Sequence, residues 1–160
     1  MIGPTTTTAK KELMYAGPFG LILWLCGTIF VDRMSSAEGR KAINNAGEMA
    51  RKSGTSIWVF PEGTRNRKRD GSMLPFKKGA FHVAVNGRIP IVPVVFSEYD
   101  FLHPKKQRFE SGVAKIRFLE PISVDDFPAE DAESMNKLMK VTFDIMQEEL
   151  TKNAAGKKAK

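Results

Sequence analysis

Apolar positions along the chain fall into short blocks, and their spacing alternates between a helical and an extended rhythm. The longest block, Leu13 to Val31, holds no charged residue and just reaches the length of a membrane span. Gly17, Pro18, Gly20, Gly27 and Thr28 interrupt it. A helix over Phe19–Leu25 and then a buried strand over Thr28–Val31 explain it better than one spanning helix, because Thr28, Ile29 and Val31 are β-branched and Phe30 is aromatic. Lys10–Tyr15 predicts a short helix before them, and Met1–Thr8, with four threonines in a row, reads as low complexity. Ser35 and Glu38 fit a capping box. The helix they open runs to about Lys52, with Ala42, Ala46, Met49 and Ala50 on one face and Gly54 at its stop. Ser56–Phe60 predicts a strand that Pro61 and Glu62 end. Gly79–Val85 predicts a helix closed by Asn86 and Gly87. Ile89–Phe96 predicts a strand bent by Pro90 and Pro93, and Val113–Leu119 a half-exposed strand. A long helix over Ala129–Leu150 buries Met135, Leu138, Met139, Thr142, Ile145 and Met146. Helices and strands thus alternate, which predicts α/β layers.

Length and composition fit that reading. With 160 residues, 42% hydrophobic and 27% charged, the chain suits one domain with its own core. We place the domain at residues 1–150 and a basic, disordered tail at 151–160. One cysteine, Cys26, and two distant histidines, His82 and His103, make neither a disulfide nor a zinc site. A reducing compartment follows as the natural expectation.

The net charge of +7 is concentrated. Arg65, Arg67, Lys68, Arg69, Lys77 and Lys78 against Asp70 give the central loop a net of +5, and Lys152, Lys157, Lys158 and Lys160 give the tail +4, so the rest sums to about −2. Such a loop suits an anionic small ligand, an anionic membrane surface or nucleic acid. Nucleic acid fits poorly, since Phe76 is the loop's only aromatic and no nucleic-acid motif is present. A thioesterase is excluded for want of a histidine near Cys26.

The sharpest local pattern is Phe60-Pro61-Glu62-Gly63-Thr64-Arg65-Asn66. A strand ends, a proline stiffens the turn, and a carboxylate, a glycine, a hydroxyl and a guanidinium follow. Gly63 permits close backbone approach. Arg65 presents a planar fork of donors that matches a phosphate, and Thr64 with backbone N–H groups can complete an oxyanion pocket. Glu62 beside Arg65 can hold the arginine. A polar loop with one ion pair accounts for the same residues, and on physics alone both readings stand.

These residues resemble the third signature block of the 1-acylglycerol-3-phosphate acyltransferases. Gly27-Thr28-Ile29-Phe30-Val31-Asp32-Arg33 resembles the second block and Ile89-Pro90-Ile91-Val92-Pro93-Val94-Val95 the fourth. Pro75-Phe76-Lys77-Lys78-Gly79-Ala80-Phe81-His82 and Ala9-Lys10-Lys11-Glu12-Leu13 follow the family as well. The resemblance covers about Ala9–Phe118, and several blocks in family order are a stronger signal than one. It implies an α/β fold with a mixed sheet flanked by helices, like that of the glycerolipid acyltransferases. It also implies that Arg65 binds the acceptor's phosphate, that Arg33 joins it, and that Lys10 is a third cation. Glu62, Gly63 and Thr64 shape the pocket, and Pro90 and Pro93 bend a strand beside it. His82 is read as structural, and His103 has no role.

The implied reaction is acyl transfer from acyl-CoA to the sn-2 hydroxyl of 1-acylglycerol-3-phosphate (lysophosphatidic acid), giving phosphatidic acid. Acyl-CoA is a substrate, and no cofactor or metal is implied. The implied setting is a membrane surface, that of the endoplasmic reticulum on its cytosolic, reducing side. One element of the pattern is missing. The family's first block is His-x4-Asp, in which the histidine acts as base on the acceptor hydroxyl and the aspartate orients it. Five residues after His82 and His103 stand Gly87 and Arg108. In the family the pair lies shortly before the Ala-Lys-Lys-Glu-Leu stretch, so the expectation is an amino-terminally truncated form that starts downstream of its catalytic pair. The alternative is a catalytically inactive module that binds lysophospholipids or anionic membranes.

Overall fold

In the computed structural model, residues 4–31, 36–64, 66, 68, 71–97, 101–103, 107–128 and 131–158 are described. The first strand, β1 (Thr5–Lys10), is made by the threonine run. Threonine is β-branched and favours extended backbone, so a stretch that reads as low complexity builds the middle of a sheet. β1 pairs in parallel with β2 (Ile29–Val31) on one side and with β3 (Ser56–Trp58) on the other, giving the order β2-β1-β3. A 3-10 turn (Lys11–Tyr15) and helix α1 (Pro18–Leu25) connect β1 to β2. Pro18 at the first helical position and Gly17 at the cap start α1 where the sequence places it. Among the described residues no helix is long and apolar enough to cross a membrane.

Helix α2 (Ser36–Ser53) leads to β3, and α3 (Lys78–Gly87) follows the basic loop. α2 and α3 touch backbone to backbone. A Cβ on Gly47 would lie 2.6 Å from the Val83 carbonyl oxygen and 3.0 Å from the Gly87 Cα. The buried face of α2 is therefore Ala46, Gly47 and Ala50, while Met49, expected on that face, is exposed. Small residues win because the helices approach too closely for a methionine. Ser35 and the side chains of Glu38 and Ala42 lie outside what the structure describes.

The strand expected over Ile89–Phe96 is shorter. Only β4 (Val94–Phe96) pairs continuously, antiparallel to β7 (Ile116–Phe118). Upstream a single bridge joins Ile91 to Ile122. Pro90 and Pro93 have no N–H to give the ladder, and the Pro93 carbonyl accepts from Leu119 N (2.9 Å). A two-stranded hairpin, β5 (Leu102–His103) with β6 (Arg108–Phe109), stands apart. Helix α4 (Ala132–Lys158) closes the chain. Asp131 caps it, its carboxylate accepting from Glu133 N (2.9 Å) and Ser134 N (3.2 Å). The helix continues through most of the segment set apart in the sequence as a basic tail.

The core lies where α3 and α4 meet the loop before α3. Phe76, Phe81, Ala84, Val85, Val124, Met135 and Leu138 are buried together, with Met73, Met139, Phe143 and Met146 packed against them. Phe76 stacks on Phe81 and meets Phe143 edge-on. Met135, Leu138 and Thr142 lie on the buried stripe of α4, whereas Ile145 is partly exposed.

The two faces of the β4–β7 pair differ. Val95, 2% exposed, pairs with Arg117, and Arg117 reaches the buried Glu149 of α4 (2.7 Å); that face carries the helix. The neighbours in register, Phe96, Ile116 and Phe118, alternate to the other face and are exposed. β7, predicted half-exposed, is exposed at all three positions.

Candidate functional site

Parallel strands end on one edge of a sheet, and their carboxyl ends are where ligands of α/β proteins bind. Here those ends are Lys10 of β1, Val31 of β2 and Trp58 of β3. β1 leads through α1 to β2 on one side, whereas β3, on β1's other side, leads through the loop and α3 to β4, whose Phe96 meets Trp58 edge-on (ring centroids 6.1 Å apart). Divergence of connections between neighbouring parallel strands is where α/β sheets commonly hold ligands. Lys10, exposed, ends β1, and the Phe60–Thr64 turn follows the neighbouring strand β3.

The turn is built as its sequence dictates. Pro61 occupies the second position and Gly63 the fourth, and Gly63 N donates to the Phe60 carbonyl (3.1 Å). Gly63 has φ +68° and packs on Lys77, whose Cγ would lie 3.2 Å from a Cβ there. Lys77 N donates to the Pro61 carbonyl (2.7 Å), which ties the start of α3 to the turn. The Glu62 carboxylate accepts from Leu74 N (3.0 Å). Glu62 thus shapes the loop by holding its returning arm. Asn66 fastens the loop across its middle, donating to the Ser72 carbonyl (2.5 Å) while its own oxygen accepts from Lys68 N (3.0 Å). Glu62 and Gly63 are half-buried and Thr64 is exposed. Arg65 and Arg33 lie outside the described residues.

Lys10, Glu62, Gly63 and Thr64 thus share one edge. The chemistry on offer is anion recognition: an exposed ammonium, a threonine hydroxyl and a turn stiffened by proline, beside a loop of net positive charge. Lys77, already part of a family-like block, holds this loop through its backbone, and Gln147 from α4 holds it with no signal in the sequence pattern. Gln147 donates to the Gly71 carbonyl (2.7 Å) and accepts from Met73 N (3.1 Å).

His82 stands apart on α3. Burial first, and the Lys78 charge one turn earlier second, push its pKa below the ordinary 6.5, so it is neutral near pH 7. Pro93 is buried and Pro90 exposed, and together they hold the segment before β4 out of the ladder. Among the described residues no cluster of His, Cys, Asp and Glu is fit to hold a metal ion. A groove of about 400 Å³ lies between Leu119–Ile122 and α4, lined by Glu120, Glu148, Glu149 and Lys152 among others. It shares no residue with the loop, and its one lysine is already paired with Glu148 (2.7 Å).

The sequence model of the family described as Acyltransferase matches residues 2–97. Among curated proteins the chain is similar to the 1-acyl-sn-glycerol-3-phosphate acyltransferase alpha of Homo sapiens, 42% identical over 134 residues, covering 83% of this chain and 47% of that protein. It is similar also to the 1-acyl-sn-glycerol-3-phosphate acyltransferase of Saccharomyces cerevisiae, 46% identical over 122 residues, covering 76% and 40%. The chain spans about half the length of these curated relatives. Among solved structures it resembles the 1-acyl-sn-glycerophosphate (LPA) acyltransferase PlsC from Thermotoga maritima, with TM-score 0.65 and 25% identity over 92% of this chain and 56% of that one.

Proposed function

The chain belongs to the acyltransferase family, and from that premise we propose that it carries the acceptor-binding part of an enzyme that transfers an acyl group from acyl-CoA to the sn-2 hydroxyl of lysophosphatidic acid. The observation that supports this reading is the shared carboxyl edge: Lys10 ends β1, and the Phe60–Thr64 turn follows β3, which pairs in parallel with β1. β2, which leads to Arg33, ends on the same edge.

In the proposed reaction the acceptor hydroxyl attacks the thioester carbonyl. A C–O bond forms, the C–S bond breaks, and the proton passes through a base to the departing thiol. This chain's residues serve the acceptor. Arg65 grips its phosphate in a bidentate contact, Arg33 and Lys10 add charge, and Thr64 adds a donor. Glu62 and Gly63 hold the turn that presents them. The base belongs to the His-x4-Asp pair, which this sequence does not contain. That absence favours a second reading for this chain on its own, a module that binds lysophospholipids or an anionic membrane without turnover. Both readings place it at a membrane surface, and the family's setting points to the endoplasmic reticulum. Neither requires a cofactor.

The purified chain is expected to transfer no acyl group above background, because a positioned base contributes about 10²–10⁴-fold to rate. Robust turnover would show that another residue supplies the base, with Glu62 the first suspect. Binding of lysophosphatidic acid tests the pocket itself. Arg65→Lys is expected to weaken it by about 1.5–3 kcal/mol, since an ammonium cannot make the planar contact. Arg69→Ala should weaken binding mainly at low salt, as screening removes exposed attractions. Equal, salt-sensitive losses at both positions would reduce the loop to a diffuse basic patch and sink the pocket.

A further inference from the structure

We infer that Gln147 of α4 is a positioning residue for the phosphate-binding loop: its side-chain amide clamps the backbone of Gly71–Met73, from which Glu62 and Asn66, the described residues on either side of Arg65 in sequence, are held. This rests on the proposed role of that loop.

The clamp is bidentate and long-range. The amide Nε2 donates to the Gly71 carbonyl (2.7 Å) and Oε1 accepts from Met73 N (3.1 Å), across 76 and 74 residues of chain. One planar group satisfies a donor and an acceptor of the same short segment, as a neighbouring strand would. The next links lead to the site. Ser72, inside the clamped segment, accepts from Asn66, the residue after Arg65. Leu74, just beyond it, donates to Glu62, three residues before Arg65. Asn66 and Glu62, which flank Arg65 in sequence, therefore both hang from a backbone whose orientation Gln147 fixes.

Physical need for such a hold is plain. Arg65, Arg67, Lys68 and Arg69 crowd four positive charges into five positions, and like charges repel when no ligand is bound. The Met73 side chain packs against the core. An apolar contact anchors that residue but is not directional, whereas two hydrogen bonds from one amide fix the rotation of the peptides around it. Packing retains the segment and the amide aims it.

The test compares the unaltered 160-residue chain with Gln147→Met, which keeps the length and loses both bonds, and with Met139→Ala, which weakens the same helix's packing but touches no loop backbone. Arg65→Ala marks the phosphate site. Glycerol 3-phosphate is the probe, titrated by NMR well below every variant's melting temperature. In parallel, trypsin cleavage at residues 65–69 reports on the loop without any ligand. Gln147→Met is expected to bind the probe roughly three- to tenfold more weakly and to be cleaved faster, while Met139→Ala binds as the unaltered chain does. Unchanged affinity and cleavage in Gln147→Met would overturn the inference. So would losses that merely follow melting temperature across both variants. If Arg65→Ala binds like the unaltered chain while Gln147→Met is still cleaved faster, the phosphate reading itself has failed. The positioning role falls with it and the clamp is structural only.

Discussion

At Gly63 the backbone sits at φ +68° with the Lys77 side chain 3.2 Å from where a Cβ would stand. Both facts weigh against any other residue. A left-handed conformation costs an L-residue roughly 1–2 kcal/mol, and Lys77 is tied to Pro61 through its backbone, so it has little freedom to withdraw. Gly63→Ala is expected to destabilise the chain by about that amount and to weaken lysophosphatidic acid binding more than Thr64→Ala does; urea melts and titration of the two variants decide it. His82 makes a different prediction, about pH. Burial and Lys78 hold its pKa below the unfolded value near 6.5. Between the two values the unfolded chain binds more protons than the folded one, so stability rises with pH through that window. The contribution is complete above about 6.5 and is lost as pH falls through it towards the folded pKa. His82→Gln should therefore lose less stability than the unaltered chain between pH 7.5 and pH 5.5, and equal losses would refute the sign. At this scale the sequence shows some residues and hides others. Glu62, Gly63 and Thr64 stand together in one motif. Gln147 stands 73 positions beyond Leu74 on a helix face, and no local pattern separates a clamping glutamine from a solvated one.

Elements were legible where one physical signal dominated. Pro18 after Gly17 starts α1, and the mixed stripe of α4 buries Met135 and Leu138 as its spacing requires. Where two signals competed, the sequence misled. Four threonines look like low complexity, yet β1 is the central strand, because β-branched residues suit a sheet even when their hydroxyls lower their hydropathy. Met49 looks like the apolar anchor of α2, yet Gly47 is what meets α3, because contact at this range is steric before it is hydrophobic. That contact can be tested. Gly47→Ala places a methyl 2.6 Å from the Val83 carbonyl and 3.0 Å from the Gly87 Cα, closer than packed atoms tolerate, so α2 and α3 must part. The expected loss is about 1–3 kcal/mol, although alanine favours a helix over glycine by about 1 kcal/mol. Ala46→Gly, which relieves space rather than filling it, should cost about 1 kcal/mol through propensity and lost methyl burial. A Gly47→Ala chain as stable as its parent in urea would show that the two helices can separate without penalty.

Among the described residues, two groups of exposed apolar side chains stand out, in different parts of the fold. One is α1, where Phe19, Leu21, Ile22, Trp24 and Leu25 are each more than half exposed. These residues lie all round the helix rather than along one stripe, which suits immersion in a lipid surface better than packing on one partner helix. The second is the open side of the β4–β7 pair, where Phe96, Ile116 and Phe118 stand exposed, with Trp58 against Phe96. An antiparallel pair can leave one face to water, but that face is ordinarily polar, and contiguous apolar patches drive association. In low salt without detergent the chain is therefore expected to self-associate and to bind lipid vesicles, by separable routes. Ile22→Asp with Leu25→Asp places two charges on α1 and should abolish vesicle flotation while leaving self-association in light scattering. Phe118→Lys places a charge on the open sheet face and should do the reverse. α1 follows the carboxyl end of β1 in sequence, and Trp58, which packs on Phe96, ends β3, so each surface adjoins a strand of the proposed acceptor edge. A monodisperse monomer that floats with no vesicle would refute the argument, and loss of both properties in either variant would mean that one surface accounts for everything.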